Sequence, residues 1–218
     1  MNLPLLVLVI AEFGDRQGTS RTIRDASHDI LVVVRAFGGR PSYVRLMESL
    51  KRLPVRVATC GDVGQGDFHP MFTARASRLM HSTDDHLPAA WGDSPHWRRW
   101  KISLVVDLFG CLLAAEKQAR VIVYLEDDVV LLPTFLSYVQ EFARSQDRVW
   151  WGMKQMGTQC FMVRSSAIQG LYSAVEPRWM LDPADWLIWG NNLKHAYTPA
   201  RFDNVVLHAP GASTHPGS

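Results

Sequence analysis

Glu126, Asp127 and Asp128 follow one another directly after the apolar run Val121-Ile122-Val123-Tyr124-Leu125. Three adjacent carboxylates repel one another and resist desolvation unless a cation or hydrogen-bond donors neutralise them. All-oxygen ligation suits hard ions, so the chemistry this triplet points to is a divalent ion, Mg²⁺ or Mn²⁺, gripping a phosphorylated substrate. Five consecutive apolar residues rich in Val and Ile predict a central strand buried on both faces. The acids then fall at its carboxyl end, where open α/β sheets bind their ligands.

Other groups compete for attention. Arg98, Arg99 and Lys101 lie near the start of a helix predicted from Ser94 as N-cap and Pro95 at the first helical position. The helix dipole does not favour cations there, a misfit explained if one of them faces an anionic ligand; solvated surface charge is the even alternative. Gly38-Gly39, between a strand and a helix, could bring backbone N–H groups to a phosphate, but no Rossmann or P-loop pattern is completed and an ordinary tight turn is the simpler reading. Asp67, His69, Asp84, Asp85 and His86 have no partners at ligand spacing and read as loop chemistry. In the apolar, aromatic stretch 180–189, Asp182 reads as a helix cap and leaves Asp185 as the acid available for chemistry. His208 and His215 flank a small-residue loop near the C-terminus.

The elements that must position these groups alternate. Strands are expected over 30–34, 55–60, 121–125, 149–152, within the stretch 155–163 after a polar, glycine-containing turn, and from 205 onward. Helices are expected from Ser42 as a possible cap through Leu50, from Ser94 through Ala115, after Pro133-Thr134, and over 166–175. Tyr43, Leu46, Met47 and Leu50 recur at helical spacing, as do Leu104, Leu108, Cys111, Leu112 and Ala115, and then Phe135, Tyr138, Val139 and Phe142. Strands alternating with helices imply an α/β class, a mixed, mostly parallel sheet flanked by helices.

The bulk numbers fit one domain of 218 residues, with residues 1–29 assigned only as an N-terminal strand and a loop. A formal charge of +2 from 23 basic and 21 acidic side chains makes no case for nucleic acid or a membrane surface as partner. The apolar opening, residues 1–11, falls short of the roughly 20 residues a membrane span requires and lacks a basic leader, so a strand is preferred to a signal peptide. Cys60, Cys111 and Cys160 lie far apart without CxxC pairing, which indicates neither a zinc ribbon nor a disulfide framework and allows at most one bridge.

Four blocks in order carry a family resemblance over residues 92–215. Gly92-Asp93-Ser94 with Trp97-Arg98 or Trp100-Lys101, Asp107 and Cys111-Leu112 leads into Tyr124-Leu125-Glu126-Asp127-Asp128-Val129. Met156-Gly157 with Met162 and Arg164-Ser165 follows, then Pro183-Ala184-Asp185-Trp186-Leu187, then Leu207-His208 through Gly211 to His215. Together they resemble the N-acetylglucosaminyltransferase IV family.

The resemblance implies a GT-A-like fold and an inverting transfer of a sugar, GlcNAc in that family, from a UDP-sugar to a glycan or glycoprotein hydroxyl in the Golgi lumen. It implies Asp128 as the direct ligand of Mn²⁺ or Mg²⁺, with Glu126 and Asp127 on the ribose or ligand waters and Arg98 and Lys101 as donor-binding cations. His208 would complete the metal shell. Asp185 would be the general base, its carboxyl raised towards neutrality by Trp179, Trp186 and Leu187. The alternative is a relative that binds UDP-sugar or glycan without turnover. A two-metal phosphohydrolase is disfavoured, because no second acidic cluster is evident.

Overall fold

The computed structural model describes residues 9–11, 29–36, 40–60, 104–105, 108–153, 158–175 and 201–210. In chain order these hold β1 (Val9–Ala11), β2 (Ile30–Arg35), α1 (Pro41–Leu50) and β3 (Arg56–Cys60). A helix α2 over 108–115 follows. Then come β4 (Val121–Glu126), β5 (Val129–Leu131), α3 (Phe135–Arg144), β6 (Val149–Trp151), β7 (Cys160–Arg164), α4 (Ser165–Val175), β8 (Arg201–Phe202) and β9 (Val206–His208). A seven-stranded sheet runs β1-β3-β2-β4-β7-β6-β8, and β5 pairs with β9 in a separate ribbon. The strands β3, β2 and β4 are parallel neighbours, and β6 and β8 point the same way, while β1 and β7 oppose them. The sheet is therefore mixed with most strands sharing one direction, the α/β arrangement expected.

Alternation along each strand divides the core into two layers. Leu31 and Val33 of β2 and Ile122 and Tyr124 of β4 face α2 and α4, packing with Leu108, Leu112, Ile168 and Leu171. Ile30, Val32, Val121, Val123 and Leu125 face α1 and α3, packing with Leu46, Leu50, Phe135, Val139 and Phe142. The strand carrying the acids is the fourth of seven and is buried from Val121 to Leu125, which is why it reads as a continuous apolar run and not as an alternation.

Packing, not capping, holds α1. Its N-cap position is occupied by Arg40, without a side-chain cap bond, and Pro41 opens the helix, so Ser42 lies inside it and is not the cap its residue type suggested. Proline presets the backbone angle of a first helical residue, which moves the start ahead of the serine. A missing cap bond forfeits about 1 kcal/mol. Burial of Leu46 and Leu50 supplies roughly 3 to 6 kcal/mol, so the helix survives.

Cys60 at the end of β3 is bonded to Cys111 on α2. The bridge links two residues 51 positions apart and is the single bridge that three cysteines allow; Cys160 remains a buried thiol.

Candidate functional site at the carboxyl end of the central strand

β4 ends at Glu126, Asp127 and Asp128 form the turn that follows, and β5 begins at Val129. β9 comes back along β5, with Val129 opposite His208 and Leu131 opposite Val206. Beside that pair the Ala209 N–H donates to the Asp128 carbonyl oxygen at 2.7 Å. The turn is thus held at one end by the central strand and at the other by a segment from near the C-terminus.

Each acid has its own surroundings. Glu126 lies opposite Arg35, the last residue of β2, in the parallel register, and Arg35 is buried. Arg35 also lies opposite Cys60, so the row Cys60, Arg35, Glu126 crosses the ends of three parallel strands. The Thr158 hydroxyl donates to Glu126 Oε1, and the Glu126 N–H donates to the Gln159 carbonyl at 3.0 Å. Burial pushes the Glu126 carboxyl above the usual range, and the charges of Asp128 and Asp127 push the same way; Arg35 and Thr158 pull against them.

Asp127 is 0% exposed and Asp128 14% exposed. Arg40, immediately before α1, donates from Nη1 to Asp127 Oδ1 at 3.0 Å and stands 3.7 Å from Asp128 Oδ2. A charge-assisted hydrogen bond therefore holds Asp127, whereas Asp128 feels a longer, purely ionic contact. Asp128 Oδ1 is buried and has no hydrogen-bond partner. The Gln159 side-chain oxygen is in the same condition.

The acids are therefore less exposed to mutual repulsion than their succession in the sequence implies, because two arginines stand against them. Among the described residues, Arg35 and Arg40 are the cations placed against the group, and a bound cation is the further partner to consider. The buried, unsatisfied oxygen of Asp128 is the atom whose chemistry fits it, since an orphaned carboxylate oxygen carries a desolvation cost that a hard cation removes. Among the described residues, no group of three or more His, Cys, Asp and Glu side chains assembles around one point. His208 is brought beside Val129 by the ribbon and its side chain is exposed. Arg98, Arg99, Lys101, Asp107, Asp185, the Gly38-Gly39 turn, His215 and the loop histidines lie outside the described residues.

Sequence reasoning missed Arg35, Arg40 and Thr158. Arg35 had a readable signal: it ends a five-residue apolar run, and a strand next to the acidic one carries its last residue to the same edge. Arg40 had none, since an arginine before Pro41 in a turn resembles any solvated cation.

No family model matches the sequence. Over 147 residues the chain is 24% identical to alpha-1,3-mannosyl-glycoprotein 4-beta-N-acetylglucosaminyltransferase A of Gallus gallus. That alignment covers 57% of this chain, and the chain spans 28% of the length of that relative. Among solved structures it is similar, at a TM-score of 0.44 and 13% identity, to a glycosyltransferase involved in the glycosylation of the major capsid of PBCV-1, covering 84% of this chain and 94% of that one. No helix among the described residues is long and apolar enough to cross a membrane.

Proposed function

We propose that this chain is a metal-dependent, inverting glycosyltransferase that moves a sugar, GlcNAc by the sequence resemblance, from a UDP-sugar to a hydroxyl of a glycan or glycoprotein. The observation that carries the reading is the buried, unpartnered Asp128 Oδ1 at the carboxyl end of the central strand, in a turn whose other carboxylates are already engaged. The similarity to a GlcNAc-transferase supports the substrate class.

Asp128 is the residue to hold Mn²⁺ or Mg²⁺, with His208 as a second ligand from the ribbon. The bound ion supplies Lewis-acid neutralisation of the charge that develops on departing UDP. Glu126, fixed by Thr158, orients the donor ribose or ligand waters, and Asp127, fixed by Arg40, sets the path of the turn. Arg98 and Lys101 are proposed to face the diphosphate. Asp185 is proposed to take the acceptor hydroxyl proton as its oxygen attacks the anomeric carbon opposite the leaving group.

The test is UDP release from UDP-GlcNAc with a panel of glycan acceptors, with Mn²⁺ and with EDTA. Release that requires acceptor and is abolished by EDTA is expected; release that EDTA leaves unchanged removes the carboxylate turn from the mechanism. The second reading, a module that binds donor without turnover, draws on Arg40 already standing against both aspartates. Calorimetric binding of UDP-GlcNAc with no release across the panel would favour it.

A further inference from the structure

The two aspartates of the turn differ in one respect that sequence cannot express: how firmly one arginine holds each. Arg40 donates a hydrogen bond to Asp127 at 3.0 Å and reaches Asp128 only as an ion pair at 3.7 Å. Its side chain keeps 28% of its surface exposed, while Asp127 has none, so the guanidinium is accessible to an incoming anion and the carboxylate behind it is not. Its backbone is fixed by the start of α1, where the helix dipole also favours negative charge. A guanidinium this close to Asp128 disfavours a divalent cation on the same carboxylate by simple repulsion.

Resting on the function proposed above, we infer that Arg40 is a positioning residue that acts as a stand-in cation. It keeps Asp127 out of the ion's coordination and weakens Asp128 for a lone divalent ion, until a nucleotide diphosphate neutralises the guanidinium. The ion and the diphosphate then bind as a coupled pair. The coupling is reciprocal: whatever factor the nucleotide contributes to ion affinity, the ion contributes to nucleotide affinity. An ion alone is held loosely, and the carboxylates are protected from capture by whichever cation is abundant.

The experiment is titration of free Mn²⁺ by electron paramagnetic resonance, without and with saturating UDP, on the full chain and its R40M and R40K variants, with circular dichroism to check folding. In the unaltered chain, UDP is expected to tighten Mn²⁺ by about tenfold or more. R40M is expected to bind Mn²⁺ alone about tenfold more tightly than the unaltered chain and to lose most of the UDP-dependent gain. R40K, which retains the charge on a shorter side chain that does not place a nitrogen where Arg40 Nη1 meets both aspartates, is expected to shift in the same direction by a smaller factor, and it carries the test alone if R40M fails to fold. Equal or weaker Mn²⁺ binding in the folded variants, with Mn²⁺ and UDP still coupled, overturns the role of Arg40 and leaves the proposed function standing. Absence of Mn²⁺ binding in every arm, with UDP or without, overturns both.

Discussion

Asp128 and Glu126 are two residues apart and should respond to mutation in different ways. Replacing Asp128 with Asn keeps the shape and the Ala209 contact, which runs through the backbone, but removes the anionic oxygen that has no partner. Transfer should fall by about a hundredfold or more while the denaturation midpoint stays close to that of the unaltered chain, because besides the proposed ion's ligand only the 3.7 Å ionic contact with Arg40 is lost. Steady-state UDP release and urea unfolding of the same preparation check both halves. Glu126 instead carries a pH signature. Burial raises its carboxyl above the ordinary 4.5, so the folded chain holds this proton more tightly than the unfolded chain does. Its contribution is fully present below that ordinary value and is lost as pH rises through the folded one. The E126Q variant lacks this slope, so its stability relative to the unaltered chain should improve steadily from acid towards neutral pH, measured by urea unfolding in EDTA. A flat difference would mean that Arg35 and Thr158 cancel the effect of burial, and a reversed slope that they outweigh it. The triplet itself, its strand end and its need for cations were legible in the sequence, because charge beside an apolar run is a local pattern. The inequality of the three acids was not, since it depends on Arg35 and Arg40 reaching them from another strand and a helix start.

Most elements could be read from periodicity: β2, α1, β3, β4, α3, β7 and α4 fall within a residue or so of where the apolar spacing puts them. The miss was the ribbon. Val129–Leu131 is three residues long, too short for a period to emerge, and its pairing with the strand expected from 205 onward, Val206–His208, comes as the chain returns over Gly152. The Gly152 carbonyl accepts from the Val205 N–H at 2.9 Å and the Val206 N–H at 3.2 Å, and its own N–H donates to the Cys160 carbonyl at 3.0 Å. A methyl group there would stand 2.3 Å from Cys160 Sγ and 2.9 Å from Val205 Cγ2. G152A should therefore cost about 2 to 4 kcal/mol, because both contacts belong to buried side chains with nowhere to retreat. The comparison that isolates the clash is G152A with and without C160A: removing the thiol should restore part of the loss, and an undiminished cost in the double variant would put the strain elsewhere.

At the scale of the whole molecule, the sheet gathers strands from residue 9 to residue 202, and the Cys60–Cys111 bond ties its parallel end to α2. Closing a loop between positions 51 apart removes unfolded-state entropy worth about 4 kcal/mol. Reduction, or the C60S/C111S pair of changes, should lower stability by about that amount, read from urea midpoints with and without reductant. A shift within a few tenths of a kcal/mol would show that the unfolded chain is already compact there. The pinning of Asp128 by Ala209 has a temporal consequence as well. During synthesis the acidic strand can pair with β2 long before the residues of β9 have left the ribosome. Until β9 has emerged, a nascent chain thus carries its three carboxylates without the backbone contact that fixes the last of them.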